Sequence, residues 1–281
     1  MSSKVESSDF VTHEPHEYVR VVPLHHPKPY LALKNLGKKP DADEDGSDLF
    51  NGRAHPAPAN AKLTYRGGHL LTNVKVHTVF WGTKWSAGPG LDMAHRLNGF
   101  FKAILTSELV AQLAEYNVPG QSIGLGTLQG TTTISDHAPT TVVTDSTLRR
   151  YLKKWIKGGL VPPNDSNMLY FVYLDPGVVS VMGGSKSCQS YCGYHDNVGG
   201  IYYAVMPYPL CDGCLGGMNA FDALTGTSSH ELCEAITDPV PGSGWYDDAN
   251  GEVGDICAWN FKRIGDYNVQ LEWSNKHNKC I

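Results

Sequence analysis

The sequence predicts an α/β protein, a mixed sheet with helices packed against it. Three observations predict this class. Segments with strand and helix character alternate from about residue 61 onward. Residues 168–174 (MLYFVYL) are almost wholly apolar, as suits a central strand covered on both faces. Apolar residues recur at helical spacing between these strand-like runs.

Residues 1–60 differ from the rest. They hold Pro15, Pro23, Pro27, Pro29, Pro40, Pro56 and Pro58, the acidic run 41–45 and little periodicity. They read as an extended N-terminal arm, linker or pro-segment that drapes over a second unit, 61–281. His13, His16, His25 and His26 fall on this arm and read as surface histidines.

Residues 74–81, β-branched and aromatic and closed by Gly82, predict a strand. Met93, Leu97, Phe100, Phe101, Ile104, Leu105 and Leu109 predict one long amphipathic helix over 90–116, ended by Pro119 and Gly120. The Thr-rich segment 128–134 predicts a strand. Asp145 is a candidate cap for a second helix carrying Leu148, Tyr151, Leu152 and Trp155, with Gly158 and Gly159 as its stop. Residues 168–174 and 201–206 predict two further strands. A third helix spans about 219–236 and stops before Pro239, followed by an irregular C-terminal tail.

Charge and hydropathy exclude some functions. The formal net charge of −5 offers no general attraction to phosphate, so nucleic acid is not an expected partner. The densest basic stretch, Arg149, Arg150, Lys153, Lys154 and Lys157, falls on the polar side of the second helix and reads as a solvated face. No apolar run reaches the roughly 18 residues of a membrane span. Residues 1–10 are polar and lack the apolar core of a secretory signal. Against this, six of the seven cysteines lie in segments rich in Gly, Ser, Asn and Asp, the pattern of disulfides made in an oxidising compartment.

The chemistry concentrates on the third helix. His230 and Glu234 are four residues apart and emerge from one face, one turn apart. An imidazole and a carboxylate so placed can share a Zn2+ ion. Glu231 takes the place of the general base in the zincin helix motif, with Glu234 where the second histidine of that motif would stand. A three-ligand catalytic zinc needs one more donor, and the Gly-flanked loop Gly251-Glu252-Val253-Gly254-Asp255 supplies two candidates, Glu252 and Asp255. One would bind the metal and the other would accept the second N–H of His230. Asp238 reads instead as a helix-end residue, and Asp247 and Asp248 as turn residues.

The stretch 228–259 (SSHELCEAITDPVPGSGWYDDANGEVGDICAW) resembles the EXORDIUM, or phosphate-induced protein 1, family of plants and its bacterial and fungal relatives. The resemblance rests on the HExxE helix, the Asp-Pro turn, the Trp-Tyr pair and the E-x-x-D-x-C loop. It extends upstream to 70–82, to 187–195 with its C-x-x-x-C-G-x-H pattern, and to the pair Cys211 and Cys214, covering roughly 65–260. It implies a zincin-like fold, a metallopeptidase ancestry and an extracellular location. His195, His230, Glu231, Glu234, Glu252 and Asp255 all fall on motif positions of the family.

Cys188 with Cys192, and Cys211 with Cys214, read as two small-loop disulfides or one four-thiolate zinc site, and the export of the resembled family favours disulfides. Cys257 with Cys280 would tie the C-terminal tail to the acidic loop, leaving Cys233 as a buried apolar residue. His195 and Tyr246 are candidates to stabilise an oxyanion, and His195 also to bind metal. The expected function is a zinc-dependent peptidase acting on a peptide or protein substrate. Its Zn2+ would be held by His230, Glu234 and either Glu252 or Asp255, with Glu231 as base. The alternatives are a non-catalytic secreted signalling or binding protein on the same scaffold, and a thiol protein using Cys211 and Cys214.

Overall fold

Residues 21–25 and 57–281 are described by the structure, a computed structural model. In chain order the elements are β1 (Val21–Pro23), β2 (Thr64–Tyr65), β3 (Lys75–Trp81), α1 (Gly88–Ile104), α2 (Glu108–Ala111), β4 (Thr127–Ile134), β5 (Val142–Thr144), α3 (Asp145–Lys157), β6 (Met168–Leu174), β7 (Val179–Met182), β8 (Ser185–Lys186), β9 (Tyr191–Val198), β10 (Ile201–Met206), α4 (Asp212–Leu215), α5 (Ala220–Thr237), β11 (Trp245–Tyr246), β12 (Phe261–Ile264), β13 (Tyr267–Gln270), β14 (Trp273–Ser274) and β15 (Lys279–Cys280).

The main sheet runs β1-β9-β10-β6-β3-β4. Strands β10, β6, β3 and β4 are parallel, and β9 and β1 add antiparallel pairings at one edge. The sheet is therefore mixed. Every residue of β6 is buried, because its alternate side chains enter different cores. Leu169, Phe171 and Tyr173 meet Leu97, Phe100, Phe101 and Ile104 of α1 and Leu232, Ala235 and Ile236 of α5. Tyr170, Val172 and Leu174 meet Leu148, Leu152 and Trp155 of α3 on the opposite face.

The helix expected over 90–116 is broken. α1 ends at Ile104, Ser107 accepts from the Leu109 N–H to cap α2, and a 3-10 turn over Gln112–Tyr116 follows. A serine satisfying free N–H groups starts a new helix more readily than it continues an old one. Thr144, not Asp145, caps α3 by accepting from the Thr147 N–H. Asp145 instead pairs with Arg149 one turn on and accepts from the hydroxyls of Tyr194 and Tyr203. Arg149 also pairs with Asp196, so this residue does not belong to a merely solvated face.

Two other expectations change. The segment around Cys188 and Cys192, for which the sequence predicts no strand, contains β9, which carries His195. The tail after α5 is not simply irregular. It forms a β2–β11 ribbon, a β12–β13 hairpin laid on α5 and a β14–β15 pair. Of the 1–60 arm, Val21–Pro23 pair with β9, and His25 sets its ring against Trp259; His13, His16 and His26 lie outside the described residues.

The disulfides cross between the two cysteine pairs. Cys188 bonds Cys211 and Cys192 bonds Cys214, so neither small-loop disulfides nor a four-thiolate site forms, and Cys211 and Cys214 make no dithiol. Cys257 bonds Cys280, and Cys233 is free and buried. Three disulfides suit an oxidising environment. Among the described residues no helix is long and apolar enough to cross a membrane.

Candidate metal centre

α5 begins at Asn219, whose side chain accepts from the Asp222 N–H, and ends at Asp238 before Pro239. Apart from Asp222 it is buried from Phe221 to Thr237, so the polar residues of its middle turns enter the interior. Asp238 ends the helix as expected, by accepting the N–H groups of Gly242, Ser243 and Gly244. Asp247 behaves as a turn residue, accepting from the N–H groups of Lys62, Ala249 and Asn250, and the exposed Asp248 pairs with Arg66.

The loop that follows delivers two acids to the helix. Gly251 has φ +88°, and a Cβ there would strike the Asp255 carboxylate at 2.2 Å, so glycine is required. Asp255 Oδ2 accepts from the Glu252 N–H at 3.0 Å, and the Asp255 N–H donates to Glu234 Oε1 at 3.0 Å. A Cβ at Gly254 would lie 2.9 Å from the His230 ring, which shows how closely loop and helix pack.

His230, Glu231, Glu234 and Glu252 have no exposed surface, and His195 is 1% exposed. His230 Nε2 stands 2.9 Å from Glu234 Oε1 and 3.8 Å from Asp255 Oδ1. His195 Nδ1 stands 3.0 Å from Glu231 Oε2 and 3.6 Å from Glu234 Oε2, and its Nε2 is 3.6 Å from Glu252 Oε1. Among the described residues no lysine or arginine forms an ion pair with Glu231, Glu234, Glu252 or Asp255.

Each imidazole is anchored through one nitrogen. Gln270 Oε1 accepts from the Trp259 N–H, and Gln270 Nε2 donates to the Gly254 carbonyl, which together orient the amide. His230 Nδ1, 3.1 Å from that oxygen, therefore carries a proton, and Nε2 is the ring nitrogen that faces Glu234 and Asp255. His195 Nε2 lies 3.2 Å from the Asp238 carbonyl, which can only accept, so Nε2 is protonated and Nδ1 faces Glu231 and Glu234. Gln270 thus holds the position expected of Glu252 or Asp255, as acceptor for His230. Neither it nor the Asp238 carbonyl has a signal in the sequence.

Without a cation the cluster is electrostatically costly. Burial and then Glu234, Asp238, Asp255 and Glu231 push the Glu252 carboxyl well above its ordinary range. Burial and Glu234 raise Asp255 to about 8, against the opposing pull of His230. Burial alone would lower the His195 pKa, but Glu231, Glu234 and Asp238 raise it to about 9. Burial raises Glu231 more than its hydrogen bond to His195 lowers it, so both partners move upward. Burial likewise raises Glu272, beside Cys233, well above its usual range.

Several buried atoms lack a hydrogen-bond partner: His230 Nε2, Glu231 Oε1, Glu234 Oε2 and both oxygens of Glu252. The short approach of His230 Nε2 to Glu234 Oε1 is off the axis of a hydrogen bond. Tetrahedral bonds of about 2.0–2.2 Å put two ligands of one ion about 3.3–3.6 Å apart. The 2.9 Å approach of Glu234 is shorter and the 3.8 Å approach of Asp255 longer, so seating an ion takes shifts of a few tenths of an ångström. The donor atoms of His230, Glu234 and Asp255 lie within 4.8 Å of one another, as do those of His195, Glu234 and Glu252. The residues fit a divalent cation.

Tyr246 sits in β11 against β2, with its ring 4.7 Å from the Arg66 guanidinium.

A search of family models, curated proteins and solved structures returned no match to the chain.

Proposed function

We propose that the protein is a metal-dependent hydrolase, with a divalent cation, zinc in the first instance, held by His230, Glu234 and Asp255. One observation carries the reading: buried carboxylates with unpartnered oxygens face imidazole nitrogens whose opposite ring atoms are anchored elsewhere. Leaving such charges buried and uncompensated costs several kcal/mol per ion, by order of magnitude.

A bound cation supplies Lewis acidity and lowers the pKa of water. The chain's own groups do the rest. Gln270 holds the His230 tautomer. Glu231 keeps Oε2 toward His195 and leaves Oε1 to accept a proton and return it to a leaving group. His195, anchored on the Asp238 carbonyl, orients Glu231 through its contact with Oε2. Peptide bonds are the substrate class that the EXORDIUM resemblance and the zincin-like helix motif favour, and the disulfides support a secreted setting.

A second reading has an observation of its own. The cluster is closed to solvent, as suits a structural cation in a non-catalytic secreted protein. Assay of the metal-replete protein on an unfolded protein substrate separates the two. The hydrolase reading expects cleavage that a chelator abolishes and that Glu231→Gln abolishes with metal retained. Undiminished cleavage by Glu231→Gln would remove the base; no cleavage by the wild type, with metal bound, would favour the structural cation.

A further inference from the structure

We infer that the cluster is a dinuclear centre: His195, Glu234 and Glu252 hold a second divalent cation beside the one at His230 and Asp255, with Glu234 bridging the two. The inference rests on the first cation assigned above. Its own support is a different set of atoms.

Each imidazole gives one N–H to a fixed oxygen and turns its other nitrogen to carboxylates: His230 Nε2 stands unpartnered beside Glu234, and His195 Nδ1 lies 3.0 Å from Glu231 Oε2 and 3.6 Å from Glu234 Oε2. An imidazole fixed at one nitrogen by a carbonyl or amide oxygen, with its other lone pair turned inward, is the usual setting of a metal-bound histidine. Glu234 serves both rings. Oε1 approaches His230 Nε2 at 2.9 Å and Oε2 approaches His195 Nδ1 at 3.6 Å, and Oε2 has no hydrogen-bond partner. A carboxylate with one oxygen on each of two imidazoles is placed to bridge two ions, which in two-metal sites stand about 3.5–4 Å apart.

Glu252 gives the second site its independent mark. Its side chain has no exposure and both of its oxygens lack a hydrogen-bond partner; its Oε1 lies 3.6 Å from His195 Nε2, the nitrogen that faces the Asp238 carbonyl, and one ligand atom from each of His195, Glu234 and Glu252 lies within 4.8 Å of the others. A single cation at His230 leaves this carboxylate unaccounted for. The mixed nitrogen and oxygen donors suit Zn2+ or Mn2+.

The test is metal stoichiometry on the full chain. Metal-free protein is titrated with Zn2+, dialysed and analysed for bound metal, then reloaded with Mn2+ for paramagnetic resonance. We expect two equivalents of Zn2+ in the wild type and one in each of Glu252→Gln and Asp255→Asn. We also expect a spin-coupled Mn2+ pair in the wild type only. One equivalent in the wild type would overturn the second site and leave the first standing. None would overturn both, and two equivalents with uncoupled Mn2+ would place the second ion away from Glu234. If either variant fails to fold, the wild-type stoichiometry and coupling still decide.

Discussion

Gln270 accepts a hydrogen bond from His230: Oε1 lies 3.1 Å from Nδ1, and the amide itself is oriented by the Trp259 N–H and the Gly254 carbonyl. The contact joins β13, in the tail, to the centre of α5, and it decides which nitrogen of His230 faces the carboxylates.

Replacing Gln270 by Ala leaves His230 Nδ1 without its acceptor. Loss of such a partner weakens metal binding about 10–100-fold, and leaving the buried nitrogen unsatisfied costs about 1–3 kcal/mol. Competition titration with a metal indicator reads the first and thermal unfolding the second. Wild-type affinity in the variant would show that His230 is oriented by something else.

Gly254→Ala tests the close approach of loop to helix. The residue has φ −82°, so alanine is conformationally allowed, and any effect comes from the Cβ meeting the His230 ring at 2.9 Å and Glu234 Oε1 at 3.0 Å. Overpacking of this kind costs about 1–3 kcal/mol. We expect a lower Tm and weaker metal binding together; a lower Tm with unchanged metal binding would separate the loop from the site.

The pH dependence of the metal-free protein has a definite sign. His195 is raised from 6.5 to about 9 and Asp255 from 3.8 to about 8. For both, the folded state holds the proton more tightly, so their stabilisation is complete below the unfolded pKa and is lost as pH rises through the folded one. Chelated protein should lose stability between about pH 4 and pH 9. Metal binding requires deprotonated ligands, so the Tm gained on adding metal should widen over that range. A Tm gain that narrows toward pH 9 would contradict the assignment.

Much of this architecture is legible in the sequence, for identifiable reasons. Met168–Leu174 and Ile201–Met206 are unbroken apolar runs because each is covered on both faces, and α5 is bounded by a capping Asn219 and by Pro239. β9 is hidden. Gly193, Asp196 and Asn197 break its apolar pattern, since Gly193 must admit Thr227 and Asp196 must reach Arg149. The acids of the centre follow from helix spacing and from the glycines of their loop. Their division does not, because Asp255 with His230 and Glu252 with His195 is settled by tertiary packing. The disulfide pairing was equally out of reach, because it depends on α4 lying against β9.

Access is a further point of test. β1 pairs with the outer edge of β9, and Val22, 3% exposed, packs against Cys192 and Cys214. Deleting residues 1–25 frees that edge for an extended peptide, the way a strand is added to a sheet. We expect peptide cleavage to rise several-fold at unchanged metal content. Unchanged cleavage would show that entry lies elsewhere.

The most direct measurement is the metal content of purified wild type and of Glu234→Ala, each with its Tm before and after chelation. The account predicts bound divalent metal and a Tm that falls on chelation for the wild type, and neither for Glu234→Ala. Wild-type protein that binds no divalent cation on reloading, and whose Tm ignores the chelator, would contradict it.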